Sequence, residues 1–146
     1  MAGGKSVGIP ESVRALVAQG PLAHLTTIRA DGRPQVTVVW IGIENDEFVS
    51  AHMGLWQKVQ NIRERPGVAL SFLGTGTTAM GLREYVVVYG DARVTEGGAP
   101  ALLQHLARIY IGPEAVFPPP ERRGVPGYIT RIRPQRYGGV GPWAER

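Results

Sequence analysis

The 146-residue chain has the length of one ordinary domain and is too short for a two-domain enzyme. Hydrophobic residues make up 43% of it and charged residues 19%, which excludes a disordered chain, and no apolar run is long enough to cross a membrane. The absence of cysteine excludes disulfides, thiolate metal sites and thiol nucleophiles, while a net charge of +4 suits an anionic ligand or nucleic acid as well as an ordinary solvated surface.

The N-terminal part of the chain predicts a tail, a helix and three strands. The first ten residues contain one lysine and no apolar stretch, so we expect no secretory signal, a flexible tail over residues 1–8 and a cytoplasmic protein. Apolar residues at helical spacing predict a helix over 10–19, which Gly20 and Pro21 end. Short turns then separate three predicted strands of an antiparallel meander, over 22–29, 35–43 and 47–52.

The second part of the chain alternates helices with longer strands. Leu55, Val59 and Ile62 return to helical spacing and predict a second helix that ends before Pro66. Pro100 suits the first turn of a third helix with one apolar face. The remaining predicted segments are strands over 68–73, 83–97 (with a bulge at Gly90) and 127–133, a Gly/Thr-rich loop over 74–81, and a glycine-rich tail without regular structure over 137–143.

These elements predict a mainly β, α+β fold in one domain over residues 1–146. About six antiparallel strands with short helices lack the βαβ alternation of doubly wound folds. A six-stranded antiparallel β-barrel, closed or partly open, is the favoured architecture because closure removes the exposed edges of such strands.

No residues have the spacing of a metal site or a nucleophile motif. His24, His52 and His105 lie on three different elements, so we predict no bound metal. His52 directly precedes the turn into the second helix, and its position is as compatible with a pocket wall as with a core residue. The loop over 74–81 lacks the Lys-Ser/Thr pair of a phosphate-binding loop.

The second helix carries a polar face with two cations and an amide. Lys58, Asn61 and Arg65 share this face, opposite the apolar residues of the same helix. Lys58 is one of only two lysines, the other being Lys5, and lies near the helix start, where backbone N–H groups and the dipole favour an anion. On these residues alone, a phosphate site and a solvated charged face are equally good interpretations.

Several motifs follow one another in a recognisable order: A-D-G-R-P, QVTVVW, FVSAH, K-x-x-N-I-R-x-x-P, VALSF and V-x-G-x-A-R-V. This set resembles the split β-barrel flavin-binding superfamily of pyridoxamine phosphate oxidases over about residues 10–143. The tail R-Y-G-G-V-G-P-W, from Arg136 to Trp143, resembles the branch of small deazaflavin (coenzyme F420)-dependent reductases.

The resemblance implies a homodimeric flavoprotein with two cofactor sites at the subunit interface. It places the flavin-like ring along the QVTVVW strand and the phosphate at Lys58, while Tyr85 stands where the oxidases have a ring-contacting glutamine. The tail from Tyr137 to Trp143 is expected to cover the ring from the partner subunit. The implied cofactor-binding residues are Thr37, Val38, Val39, Trp40, Ala51, His52, Gln57, Lys58, Asn61, Tyr85, Tyr137 and Trp143.

The activity implied is an F420-dependent oxidoreductase that transfers hydride to a planar, electron-poor small molecule, with His52 and Tyr85 as candidate proton donors. Thr37 replaces an arginine of the oxidases, and their C-terminal Arg-x-His motif is missing, which disfavours oxidation of a pyridoxine phosphate. Trp56 stands where some deazaflavin-dependent relatives have a further basic residue, so FMN remains an alternative cofactor.

Two other functions remain open at this point. The alternative to an enzyme, whether F420-dependent or FMN-dependent, is a non-catalytic protein that binds a flavin, a deazaflavin or a haem derivative. Arginines are frequent late in the chain, but no aromatic ladder accompanies them, so we expect no nucleic-acid partner. We expect the loops over 74–81 and 114–124 to line a small-molecule substrate pocket.

Overall fold

The computed structural model describes residues 5–145, so the first four residues of the expected tail lie outside the described residues. Val7 donates its backbone N–H to the carbonyl of Pro134 at 2.9 Å, which holds this end of the tail against the last strand. Between residues 5 and 145 the elements are α1 (Glu11–Val17), β1 (Ala23–Ile28), β2 (Pro34–Val39), β3 (Gly42–Glu44), β4 (Glu47–His52), α2 (Gln57–Glu64), β5 (Gly67–Thr77), β6 (Arg83–Glu96), α3 (Ala99–Tyr110), a short 3-10 helix (Pro120–Arg122) and β7 (Tyr128–Val140).

All strands belong to one antiparallel sheet with the order β2-β1-β5-β6-β7-β4-β3. The expected antiparallel, β-rich α+β fold with three helices is confirmed, but the sheet has seven strands rather than six. The strand expected over 35–43 is interrupted at Trp40 and Ile41, and its halves join opposite edges: β2 pairs with β1, and β3 pairs with β4. The predicted three-stranded meander is therefore wrong.

This interruption forces the sheet to curl. Val39 ends β2 and Gly42 begins β3, so three Cα–Cα steps separate the two edge strands, a span of at most about 11 Å. Phe48 on β4 and Phe72 on β5 are not on neighbouring strands, yet their ring centroids are 6.4 Å apart. Both edges thus approach each other around a common core, which α1 covers with Val13 and Leu16.

Tyr110 at the end of α3 fixes the chain at the interruption. Its hydroxyl accepts a hydrogen bond from the backbone N–H of Ile41 at 3.0 Å and donates one to the carbonyl of Pro21 at 2.7 Å. The Tyr110 ring stacks on Trp40 with a centroid distance of 5.3 Å and an interplanar angle of 13°. One side chain therefore joins α3, the segment before β1 and the point where the chain leaves one sheet edge for the other.

Two segments predicted as irregular are strand. β5 continues to Thr77, through half of the expected loop, and β7 continues to Val140, through most of the glycine-rich tail. Glycine is required in this tail because a Cβ on Gly139, which has φ +97°, would lie 2.3 Å from the carbonyl oxygen of Tyr85 on β6. The glycines permit the two backbones to approach closely, and the tail can therefore pair with β6.

The register between β6 and β7 shifts next to Gly90, where a bulge was expected, but the extra residue lies in β7 and not at Gly90 itself. Tyr89 pairs with Arg136 and Gly90 pairs with Pro134, so Gln135 is the additional residue in β7. None of the helices among residues 5–145 has the length and apolar character needed to cross a membrane.

Replacement of Tyr110 by Phe tests the role of its hydroxyl. Tyr110→Phe leaves the Ile41 N–H without its partner, and we expect a loss of about 1–2 kcal/mol of unfolding free energy, measured by urea denaturation. The matched control is Tyr128→Phe, because no hydrogen bond is recorded for the Tyr128 hydroxyl among the described residues. Equal stability of the two variants contradicts the anchoring role of Tyr110.

Candidate functional site

A cavity of about 230 Å³ opens where β2 ends, beside the interruption at Trp40. Apolar and aromatic side chains form most of its wall, and Lys58 and His52 are the only ionisable groups that residues 5–145 contribute to it. The lining residues are Val38, Val39, Trp40, Ala51, His52, Met53, Trp56, Lys58, Leu103 and Phe117. An apolar cavity with a few polar groups at one place is the usual form of a small-molecule site.

A larger groove of about 450 Å³ lies between β3 and α3. Its charged residues Glu44 and Arg131 face each other at 3.7 Å, so their charges are largely compensated within the chain. The smaller cavity at Lys58 is therefore the better candidate for an anionic ligand.

Lys58 is a buried cation that has no acidic partner in the described part of the chain. Its residue is 9% exposed, its Nζ donates to Oγ1 of Thr37 at 3.5 Å, and the same atom lies 5.5 Å from the centre of the Trp56 ring. No ion pair within residues 5–145 includes it. Burial lowers the pKa of Lys58 below its ordinary value of 10.5. Since an unpaired buried ammonium is costly, an anion placed here gains the interaction that the protein itself does not supply.

The start of α2 adds partial positive charge at the same place. Lys58 is the second residue of this helix, which begins after the extended residue Trp56 without a side-chain cap and without an acidic residue in its first turn. The first backbone N–H groups of a helix have no acceptor within the helix and attract anions. In α2 the N–H groups of Val59 and Gln60 both donate to the carbonyl of Trp56, so the N–H groups of Gln57 and Lys58 are the ones that an anion beside the Lys58 ammonium could use.

His52 is buried beside Lys58 and is neutral at physiological pH. Burial, and then the charge of Lys58, lower the pKa of His52 to about 3. Its Nε2 lies 3.0 Å from Oγ1 of Thr130 and 3.3 Å from Oγ of Ser50, hydrogen bonds that fix the ring. The sequence interpretation proposed His52 as a proton donor, but at neutral pH it carries no imidazolium proton to give.

Asn61 holds α2 against the sheet. It is fully buried, its Nδ2 donates to Oγ1 of Thr27 and to Oε1 of Gln35, both at 3.0 Å, and its Oδ1 accepts from Nε2 of Gln57 at 2.8 Å. Each polar atom of the Asn61 amide therefore has a partner within the chain. At Asn61 the polar face of α2 is therefore neither solvated nor free for a ligand, and the amide joins α2 to β1 and β2.

Most of the sequence-predicted site residues come together at the cavity. Val38, Val39, Trp40, Ala51, His52 and Lys58 line it, Thr37 contacts Lys58, and Gln57 and Asn61 lie behind it.

Three of the predicted site residues lie elsewhere. Tyr137 and Trp143 are buried in the core of their own chain, where the Tyr137 hydroxyl donates to the carbonyl of Gly8 and the Trp143 indole N–H donates to that of Tyr85. Both side chains thus pack within their own chain, and their role as a cover over a partner's ring stays a prediction. Tyr85 does not line the cavity; it lies on the opposite face of β6 from the buried residue Val86.

Four lining residues were absent from the predicted cofactor-binding set: Met53, Trp56, Leu103 and Phe117. Phe117 lies in the loop over 114–124, which was expected to line a pocket, whereas no residue of the loop over 74–81 reaches this cavity. Leu103 belongs to the apolar face of α3, and its spacing gives no signal that separates a cavity wall from an ordinary core residue.

The family model described as pyridoxamine 5'-phosphate oxidase matches residues 9–135. A solved structure of an F420 reductase is 27% identical, with 89% of this chain and 98% of that one covered and a TM-score of 0.70.

Two further structures share the fold. A conserved hypothetical protein from Mycobacterium tuberculosis is 22% identical, with 100% of this chain and 91% of that one covered and a TM-score of 0.69. HutZ, the haem storage protein from Vibrio cholerae, is 15% identical, with coverages of 91% and 95% and a TM-score of 0.62. Among curated proteins none matches the sequence.

The cost of the buried Lys58 charge is measurable without any ligand. Lys58→Met keeps the length of the side chain and removes the charge, so we expect the unfolding free energy at pH 7 to rise by about 1 kcal/mol. Because the folded-state pKa of Lys58 is lowered, the unfolded chain binds the additional proton between that pKa and 10.5. Wild-type stability therefore rises with pH across this window, and the advantage of Lys58→Met shrinks.

Urea denaturation at several pH values measures this difference, with Lys5→Met as the control at the other, exposed lysine. A stability for Lys58→Met that is lower than that of the wild type at pH 7 contradicts the description of Lys58 as an uncompensated charge.

Proposed function

The chain belongs to the pyridoxamine 5'-phosphate oxidase family, within the split-barrel flavin- and deazaflavin-binding superfamily, and we propose that it is an F420 (deazaflavin)-dependent reductase. The observation that carries the proposal is Lys58, a buried ammonium without an acidic partner among residues 5–145, at a helix start and in an apolar cavity. A ligand with a phosphate and a flat apolar ring matches both features, since the phosphate compensates Lys58 and the ring suits the wall.

Within this proposal the chain binds and orients the ligand. Lys58 and the first N–H groups of α2 hold the phosphate, and Asn61 keeps the helix in register with β1 and β2. Val38 and Val39, at the end of β2, offer an apolar strip to the ring. A bound flavin or deazaflavin supplies hydride transfer, so the contribution of the chain is proximity, orientation and exclusion of water. The substrate class is a planar, electron-poor small molecule that lies against the exposed face of the ring.

Two observations support F420 over the alternatives. The solved F420 reductase is 27% identical in sequence to this chain. The tail from Arg136 to Trp143 resembles the deazaflavin-dependent branch. FMN is the alternative cofactor that the family model favours, because pyridoxamine 5'-phosphate oxidases use it. A non-catalytic haem-binding protein is supported by a shared fold alone, as with HutZ at 15% identity.

We also propose that the protein is a homodimer whose second copy completes the site. The cavity of about 230 Å³ is smaller than the roughly 300–1,000 Å³ of sites that enclose a complete ligand. The register of the strands places five exposed apolar or aromatic residues on one side of β2, β5 and β6, here called the outer sheet face: Val36, Val38, Leu73, Tyr85 and Tyr89.

This outer sheet face is continuous with the cavity, because Val38 belongs to both. An apolar sheet face of this kind is typical of an interface. A second copy packed on it closes the open side of the cavity, which explains why one chain provides only part of a ligand site.

Removal of the Lys58 charge tests the central step. We expect Lys58→Ala to weaken F420 binding by about 1.5–3 kcal/mol, the scale of a charge-assisted hydrogen bond. Quenching of deazaflavin fluorescence measures the affinity, and Lys5→Ala is the matched control. Unchanged affinity in Lys58→Ala removes Lys58 from the site, whereas stoichiometric binding of FMN without binding of F420 replaces the cofactor. A haem absorption band with no binding of either contradicts the reductase.

The pH dependence of binding gives a second test. A phosphate requires the protonated amine of Lys58, and burial lowers the pKa of this amine below 10.5. The affinity for the phosphate must therefore fall at a lower pH than it would with an ordinary lysine. The guanidinium of the Lys58→Arg variant stays charged, so the affinity of this variant is expected to be constant between pH 7 and 10. A wild-type affinity that is constant over this range contradicts the use of Lys58 as the phosphate ligand.

The dimer is tested by charges placed on the outer sheet face. We expect the wild type to sediment at twice its chain mass of 15.8 kDa, and Leu73→Glu to sediment as a monomer with weakened F420 binding. Ile111→Glu is the control, because Ile111 is equally exposed but lies after α3, outside this face. A monomeric wild type with full ligand affinity contradicts the proposed dimer.

A further inference from the structure

One side chain of α3 ties the middle of the loop between α3 and β7, which spans residues 111–127, to the body of the protein. Gln104 donates from Nε2 to the carbonyl of Ala115 at 2.8 Å. Its Oε1 accepts from the backbone N–H of Phe117 at 3.2 Å and from Nη2 of Arg123 at 2.5 Å. Both functional atoms of the amide are therefore used, and they hold the loop at three points.

Apart from its C-terminal end, where the carbonyls of Pro126 and Gly127 accept from the backbone N–H groups of Ala99 and Gly97, the other backbone hydrogen bonds recorded for this loop are local. Between residues 113 and 125 of the described chain, the backbone N–H groups that donate to backbone carbonyls do so within turns of the loop: Ala115 to Gly112, Arg122 to Pro119, Arg123 to Pro120 and Val125 to Arg122. None of these bonds fixes the position of Phe117 relative to the cavity. That position depends on the Gln104 bonds, on the packing of the Phe117 ring and on the burial of the next residue, Pro118.

Phe117 is the side chain that this loop contributes to the cavity wall. Its ring contacts Trp40 edge-on, with a centroid distance of 5.5 Å and an angle of 63°, and the residue is 36% exposed. One face of Trp40 is already covered by the stacked ring of Tyr110. Trp40 therefore offers only its other face to a flat ligand, whereas Phe117 and the 52%-exposed Trp56 each retain aromatic surface at the cavity.

We propose that Phe117 determines which flat rings the cavity accepts, and that Gln104 is its positioning residue. This inference rests on the proposed function and divides recognition at the same site into two parts. Lys58 recognises the phosphate of the ligand, whereas Phe117 recognises its ring whether or not a phosphate is attached. The class of ligand fragment that Phe117 selects is a planar, fused aromatic ring system.

Two matched pairs of compounds separate the two contributions: riboflavin with FMN, and the phosphate-free deazaflavin nucleoside with F420. The wild type is expected to bind one of these pairs. For both members of that pair, we expect Phe117→Ala to lower the affinity by the same factor, about five- to tenfold. We expect Lys58→Ala to lower the affinity for the phosphorylated member alone. Val116→Ala, at an exposed residue of the same loop that does not line the cavity, is the control and retains wild-type affinity.

The positioning role predicts non-additive effects. Gln104→Met removes all three hydrogen bonds and lowers ring affinity by about the same factor as Phe117→Ala, while the double variant loses no more than either alone. Gln104→Glu keeps the acceptor for the Phe117 N–H and recovers most of the affinity. Thermal unfolding of each variant shows that it is folded.

Wild-type affinity of Phe117→Ala for the phosphate-free ring overturns the inference, as do additive effects of Gln104→Met and Phe117→Ala. If the wild type binds the phosphorylated and the phosphate-free member of a pair with equal affinity, the proposed function is contradicted but the ring contact is not. If the wild type binds none of the four compounds, both are wrong.

Discussion

The chain crosses from one edge of its sheet to the other within two residues, Trp40 and Ile41, and the rest of the structure depends on this crossing. It requires the sheet to curl around one core, because β2 and β3 cannot separate by more than about 11 Å. It also ends β2 beside the end of β4, where the cavity opens. Tyr110 satisfies the Ile41 N–H and stacks on Trp40, so the same contact that holds the crossing shapes one wall of the site.

The wall of the cavity is mostly apolar, and the charge of Lys58 determines which ligands it can bind. Lys58 is buried without an acidic partner among the described residues, and its neighbour His52 is kept neutral by burial and by the Lys58 charge. The protein thus bears the cost of one uncompensated cation, which an anionic ligand offsets. Asn61 contributes by satisfying every polar atom of its amide with Thr27, Gln35 and Gln57, which fixes the helix that carries the ammonium.

The sequence was sufficient to predict the second helix, Lys58 at its start and the family, because helical spacing and motif order are local signals. It could not predict the interruption at Trp40, since QVTVVWIGI has uniform strand propensity and only the tertiary fold assigns its halves to different edges. Helical spacing showed that Lys58 and Asn61 share a face, but not that the sheet buries this face. Tyr137 and Trp143 were assigned to a ligand by resemblance, whereas close backbone approach at Gly139 folds their segment into its own core.

The ionisation of Lys58 tests this account most directly, and the chain is well suited to it because Lys5 is its only other lysine. Isotope labelling of lysine gives two side-chain NMR signals, and a Lys5→Arg variant assigns them. In the free protein we expect Lys58 to titrate below 10.5, and in the presence of F420 we expect its pKa to rise. A Lys58 pKa at the ordinary value in the free protein, or one that saturating F420 leaves unchanged, contradicts the claim that this buried amine is the ligand of a phosphate.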